Sequence, residues 1–332
     1  MSLPTPFMHE TREPQSEDIF SGSGVLILDK PAGFTSHDIV QQVKKKLRAA
    51  KVGHGGTLDP FATGVLVLLV NEATKLAPFL VDQEKRYLFK VHFGVETDTL
   101  DSTGEVVARQ SPPPLLEREI REACGTFIGE IQQTVPRYSA VQVGGQRLYR
   151  LARLGVQVTP PSRTVKIKRL SFCELRWPEA TFEVICSKGT YVRSLGVDLA
   201  QYLNCKAHVS QLRRLGSGSF DLRQAVTLEQ LDVIVTKSEL DQVLIAQAQA
   251  LAGYPELRVS HPTAKRIRQG GGLNSTQILG SHRGRAWLGG PYKVLDPESN
   301  LVAMAERSTK AIEVRPEREI TFKTLRVFGP VA

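Results

Sequence analysis

The stretch Lys51-Val52-Gly53-His54-Gly55-Gly56-Thr57-Leu58-Asp59-Pro60-Phe61-Ala62-Thr63-Gly64 holds the residues best placed for chemistry. Its glycines let backbone approach a ligand closely, and Pro60 stiffens the turn that presents Asp59. A carboxylate on such a loop can be a nucleophile, a base, a metal ligand or a turn former, and residue types alone do not choose. The glycines match neither GxxxxGK[ST] nor GxGxxG, so the loop is not read as a phosphate cradle. Four cysteines, Cys124, Cys173, Cys186 and Cys205, form no CxxC pair. The seven histidines show no ligand spacing beside them, so no metal site is expected. The cysteines read as reduced core residues of a cytoplasmic protein.

Charge points to the partner. The chain of 332 residues carries a formal net charge of +9, and the distribution is more informative than the total. Segments 41–54, 137–169, 185–220 and 258–270 together hold 22 of the 43 Lys and Arg residues but one of the 34 Asp and Glu residues. Such stretches repel one another unless a polyanion or solvent ions screen them, which makes nucleic acid the leading partner class and a merely solvated basic face the alternative. The apolar run Val65–Val70 is far short of the roughly 20 residues of a membrane helix, so no membrane association is expected. Residues 1–23 read as a loose tail, without the basic start and apolar stretch of a signal peptide.

The elements that must position the loop follow from pattern. Gly24 to Pro31 reads as a buried strand that ends where Pro31 lacks an amide. Thr35 with Asp38 forms an acidic capping box before a helix that buries Ile39, Val40, Val43 and Leu47 and turns Lys44, Lys45, Lys46 and Arg48 to solvent. Val65–Val70 suits a strand buried on both faces. Arg86–Phe93 predicts a strand and Leu115–Cys124 a helix; Gly144-Gly145 marks a turn between Ala140–Val143 and a helix over Arg147–Leu154. Thr164–Leu175 and Thr181–Cys186 predict strands, with Leu195, Leu199 and Leu203 on a helix packed over them. Thr227–Leu251 reads as a helix-like connector. Beyond Tyr254, short β-like runs, the glycine clusters Gly270–Gly272 and Gly289-Gly290, and Asp296-Pro297 predict a small barrel. The order is neither strict βαβα nor all-β, so the expected class is α+β: a mixed central sheet flanked by helices over 24–251 and a small C-terminal β-barrel-like domain over 252–332.

Several of these segments, taken in order, resemble one family. GHGGTLDPFATGVL (53–66), DKPAGFTSHD (29–38), KRYLFKVHFGVETDTLDSTG (85–104), CSKGTYVRSLGVDLAQYL (186–203) and AHVSQLRRL (207–215) are similar to TruB-type tRNA pseudouridine synthases over roughly residues 24–250. The C-terminal part is similar, less specifically, to PUA-type RNA-binding domains. The resemblance implies a pseudouridine synthase fold and conversion of uridine to pseudouridine at position 55 in the T loop of tRNA, without metal or organic cofactor. It implies that Asp59 is the catalytic carboxylate, that Arg193 holds it ionised, and that Tyr87 stacks on the target base and handles the C5 proton. By the same matching, His54 fills the gap beside the flipped nucleotide and Tyr191 and Leu212 line the base pocket. Lys30 and Pro31 support the Asp59 loop. Gly55 departs from the threonine common in bacterial members. The rivals are an RNA-guided synthase working inside a small ribonucleoprotein and an RNA-binding or folding helper. The first is disfavoured by the AHVSQLRRL form and the lack of a lysine-rich tail, the second by the intact Asp59, Tyr87 and Arg193 set.

Overall fold

The computed structural model describes residues 19–280, 290–308 and 320–329. Residues 1–18 of the tail, and Gly289 of the second glycine cluster, lie outside them. Within the described part of the tail, the Asn71 side chain donates to the carbonyls of Phe20 and Gly22 at 2.9 and 2.7 Å.

Strand β1 (Gly24–Lys30) stops one residue before Pro31 and pairs antiparallel with β3 (Thr63–Val70), Gly24 opposite Val70. Helix α1 (Ser36–Leu47) starts at the anticipated capping box: Asp38 N–H donates to Thr35 Oγ1 at 3.0 Å, and Thr35 N–H donates to the Asp38 carboxylate at 2.9 Å. Its buried face is Ile39, Val40, Val43 and Leu47. Lys44 and Lys45 are exposed as expected, but Lys46 is half-buried and pairs with Asp232, so the basic face is narrower than periodicity suggests. The stretch read as one loop from Lys51 to Gly64 contains a short strand, β2 (Val52–His54), laid against β3.

The main sheet has nine strands. With β4 (Lys85–Phe93), β5 (Gly129–Thr134), β6 (Ser162–Arg176), β7 (Glu179–Cys186) and β8 (Ala207–Ser217), its order is β1-β3-β8-β4-β7-β6-β5; β2 joins β3, and β9 (Phe220–Asp221) joins β8. Every pairing is antiparallel except β3 with β8, so the sheet is mixed. Helices α2 (Glu117–Thr126), α3 (Leu148–Arg153) and α4 (Val192–Tyr202) follow their predicted positions to within a few residues, and α4 buries Leu195 and Leu199.

The helix-like reading of Thr227–Leu251 is corrected. A single helix there, α5 (Leu228–Thr236), gives way to short 3-10 and helical turns. The segment also folds back on the sheet: Val226 N–H donates to Ile27 O at 3.0 Å, and Ile245 exchanges backbone bonds of 2.8 Å with Val25. These bonds satisfy the open edge of β1, which would otherwise invite pairing with another chain.

A second sheet of five strands, curled as a half-barrel of PUA type, comprises β10 (Glu256–Arg258), β11 (Leu273–Asn274), β12 (Pro291–Leu295), β13 (Leu301–Arg307) and β14 (Thr321–Val327), in the order β10-β12-β13-β14-β11. Its Leu295, Leu301 and Met304, with Phe328, share a core with Val25, Ile27, Val65, Val67 and Leu69. The alternate residues Leu26, Leu28, Leu66, Leu68 and Val70 face the α1 side. Both faces of β1 and β3 are therefore covered, which is why their sequences are continuously apolar.

Candidate active site

Asp59 occupies the turn between β2 and β3, and that turn is held by backbone-directed bonds from several directions. Lys30 Nζ donates to the carbonyls of Pro31, Phe34 and Pro60 at 2.9, 2.8 and 3.2 Å. Ser36 Oγ both accepts from Leu58 N–H at 2.8 Å and donates to Leu58 O at 3.1 Å. From beneath, Arg214 donates to Gly56 O, Thr57 O and Val65 O at 3.1, 3.2 and 2.6 Å. Lys30 and Arg214 are buried, the latter 2 % exposed. Burial lowers the Lys30 pKa from 10.5 to about 8, with the charge of Asp59 pulling the other way. Two cations thus direct their donors at carbonyls to fix a loop, since an unpaired buried charge would be far costlier.

Arg193 lies in the first turn of α4, 3 % exposed, and reaches across to Asp59. Its Nε and Nη2 donate to the two carboxylate oxygens at 2.9 and 3.2 Å, a bidentate fork. The rest of the guanidinium is fully committed: Nη1 donates to Thr99 O at 2.7 Å and sits 3.3 Å from the carboxylate of Asp101, and Nη2 donates to Tyr138 O at 3.0 Å. Asp101 is itself fastened by Thr99 and Thr103 hydroxyls at 2.8 and 2.6 Å. The Asp59 side chain is 30 % exposed. Burial of its surroundings raises the Asp59 pKa above the ordinary carboxylate value; Arg193 opposes the rise and Asp101 adds to it. Arg193 therefore favours the ionised form against desolvation.

Asp59 opens onto a cavity of about 390 Å³ whose lining includes Tyr87, Tyr191, Leu212 and Arg214. Tyr87 is on β4, near Arg214, and burial raises the pKa of its phenol, so it stands as a neutral hydroxyl. The Tyr191 ring lies under Arg163, 5.0 Å from guanidinium to centroid. Lys85 and Lys188 also line this cavity, and burial lowers the Lys85 pKa to about 8. Of the remaining candidates from sequence, His54, Lys30 and Pro31 do not line it. Pro31 contributes a carbonyl to Lys30, and His54 Nδ1 accepts from Gly56 N–H at 3.4 Å while burial lowers its pKa. A larger cavity of about 560 Å³, between α3 and the Thr97–Leu100 turn, holds none of the Asp59 machinery.

Sequence reasoning assigned no role to Asp101, Arg214, Lys85 or the segment Ser139–Val141. Asp101 and Lys85 stand inside the quoted motif KRYLFKVHFGVETDTLDSTG and Arg214 inside AHVSQLRRL, and an acidic residue in a Thr/Ser-rich turn reads locally as a turn former. Among the described residues no group of three or more His, Cys, Asp and Glu side chains could hold a metal ion.

The whole arrangement is similar to that of known proteins. A solved Cbf5-Nop10-Gar1 complex contains a chain that superposes with a TM-score of 0.71 at 27 % identity, covering 92 % of this chain and 85 % of that one. Residues 44–192 match the family described as TruB family pseudouridylate synthase (N terminal domain), and residues 193–252 match the tRNA pseudouridylate synthase B C-terminal domain. A tRNA pseudouridine synthase B of Syntrophobacter fumaroxidans is 44 % identical over 284 residues, 85 % of this chain and 92 % of the relative. That of Geobacillus thermodenitrificans is 38 % identical over 92 % of this chain and 99 % of its own. The chain belongs to the TruB family of pseudouridylate synthases, which are isomerases.

Proposed function

We propose that this protein converts uridine to pseudouridine in tRNA, at position 55 of the T loop, with Asp59 as the catalytic carboxylate. The observation that carries the reading is the bidentate Arg193 fork on an aspartate that opens into a nucleoside-sized cavity. Relatives at 37 to 45 % identity that are named tRNA pseudouridine synthase B support the choice of RNA.

The reaction needs little beyond these groups. The N1–C1′ bond breaks, the uracil turns in place, C5 joins C1′, and the C5 proton leaves while N1 takes one up; no electrons are gained or lost. An ionised Asp59 starts it at the ribose, by attack on C1′ or by removing a ribose proton, and Arg193 keeps the carboxylate charged and aimed. Tyr87 stacks on the base and relays the C5 proton, its neutral hydroxyl passing its own proton to solvent as it takes the new one, so the phenol ends as it began. Tyr191 and Leu212 close on the flipped base, and the exposed Lys188 at the cavity faces a phosphate, whereas Lys85 is buried with its Nζ on the carbonyls of Val81 and Gln83. Lys30, Pro31 and His54 act through the loop they hold. A tRNA substrate and cysteines that are all free, three of them buried, support a cytoplasmic location.

The similarity to the Cbf5-containing complex favours one rival, an RNA-guided enzyme, but at 27 % identity against 44 % for the S. fumaroxidans tRNA enzyme. Purified protein and bare tRNA transcript, tritiated at uridine C5, decide between them. Stoichiometric release of one tritium per tRNA without added RNA or protein supports the proposal, and release only on adding a guide RNA overturns it.

A further inference from the structure

One polar atom in the lining of the Asp59 cavity has no protein partner. Ser139 is 6 % exposed and lines the cavity beside Ala140 and Val141. Its Oγ is buried and makes no hydrogen bond, and none of the other buried unpartnered side-chain atoms among the described residues belongs to a residue of this lining. The backbone around it is fixed. Arg193 Nη2 donates to Tyr138 O at 3.0 Å, Tyr149 N–H donates to Ser139 O at 3.1 Å, and Leu148 N–H donates to Val141 O at 2.8 Å. The peptide on the N-terminal side of Ser139 is thus tied to the same guanidinium that clamps Asp59, while the hydroxyl is left over.

A buried hydroxyl without a partner is unfavourable and rare, and where it persists it marks a group that another state satisfies. A turn about χ1 is enough to redirect a serine hydroxyl, which can then donate or accept. We propose that the Ser139 hydroxyl is a hydrogen-bond partner of the target base, engaged only when a nucleotide occupies the Asp59 cavity. The base, rather than a phosphate, is the partner because the hydroxyl is sealed from water inside the lining, whereas a phosphate stays at the solvated Lys188. Uracil offers an N3–H donor and two carbonyl acceptors on the edge that remains free when a ring is stacked. Ser139 is accordingly a positioning contact for the base and takes no part in proton transfer. The inference rests on the uridine-isomerising reading given above.

The test uses full-length Ser139→Ala, with the near-isosteric Ser139→Cys as a volume control, and a tRNA transcript carrying either uridine or an abasic nucleotide at the target position. Single-turnover conversion should fall by about tenfold in both variants, the loss of one hydrogen bond. The Tm should stay level or rise, because the free protein loses an unsatisfied group; a hydroxyl with a structural role would lower it. In an Asp59→Asn background, which prevents turnover, Ser139→Ala should weaken binding of the uridine transcript and leave binding of the abasic transcript unchanged. An unmoved conversion rate, a lowered Tm with equal binding losses on both transcripts, or a binding loss confined to the abasic form overturns the serine contact. Conversion by the wild type is the control that separates the two claims: its absence overturns the functional reading, and the inference with it.

Discussion

Arg193 serves two carboxylates and two carbonyls, so its removal should act on charge and on geometry at once. Arg193→Met keeps most of the bulk but strips Asp59 of the group that opposes its desolvation. The Asp59 pKa is already raised in the wild type, and it should rise further in the variant. Because the reaction needs the ionised carboxylate, the acid limb of the rate profile should move to higher pH. The ratio of wild-type to variant rate should therefore shrink as pH rises and Asp59 ionises in both. We expect single-turnover rates lower by about a hundredfold or more near neutrality, in the range seen for lost electrostatic stabilisation. The salt dependence of tRNA binding should be unchanged, since a guanidinium 3 % exposed does not reach a solvated phosphate. A flattened salt slope with a retained rate would make Arg193 a phosphate contact. At this scale the family motif made Asp59 and its arginine legible. Asp101 was not, because its partner Arg193 lies far away in sequence, after the neighbouring strand β7, and no local pattern encodes the meeting.

Glycine 64 shows how an element sets the site. It has φ +100, and a Cβ there would lie 2.2 Å from Arg214 O. The parallel contact of β3 with β8 is short, pairing Thr63 with Arg213 and Gly64 with Arg214, and it is what brings Arg214 against the Asp59 loop. Gly64→Ala should cost more than about 3 kcal/mol or prevent folding, since backbone strain and a backbone clash combine. Gly55 is different. Its backbone is outside the left-handed region, and an added Cβ would meet Val67 at 3.4 Å. Gly55→Ala should shift stability by no more than about 1 kcal/mol and leave turnover intact, which thermal unfolding and single-turnover assays would show. The departure from the common threonine is therefore compatible with the loop. Helices α1 to α4 and the strands β1, β3, β4, β6 and β7 were legible from pattern, but β2, β5 and β9 were not, nor was β8. Register shifts after Val209 and after Arg214 break its alternation, so a central strand presents no clean two-residue pattern. The stretch Thr227–Leu251 failed for the opposite reason: its apolar residues suit a helix, and the open edge of β1 claims them instead.

At the scale of the whole molecule, the C-terminal sheet is part of the scaffold of the catalytic sheet. Its Leu295, Leu301 and Met304 cover the face of β1 and β3 opposite α1, while Lys75 Nζ donates to Val327 O at 3.1 Å and Gly329 N–H to Glu72 at 3.0 Å. Chain from 253 onward should thus not be separable as a mere RNA grip. Deleting it would expose several apolar side chains worth about 1.5 to 3 kcal/mol each, against a total stability on the order of 5 to 15 kcal/mol. We expect the truncated chain to lose cooperative thermal unfolding, and a truncation with an unchanged Tm would show that the shared core contributes little. Two of the four basic segments read from sequence, 137–169 and 185–220, reach the Asp59 cavity through Arg163, Lys188 and Arg214, although Arg214 proves to be a buried brace, which charge counting cannot distinguish from a phosphate contact. All of this scaffold serves one carboxylate. The most direct measurement is a nucleotide-resolution pseudouridine map of tRNA transcript incubated with wild-type protein and with Asp59→Asn. The account predicts a single modified position in the T loop for the wild type, and less than about 1 % of that conversion for the variant with tRNA affinity kept within a few fold, as loss of a covalent or general-base catalyst requires. Substantial T-loop conversion by Asp59→Asn, or modification by the wild type only elsewhere in the tRNA, would contradict it.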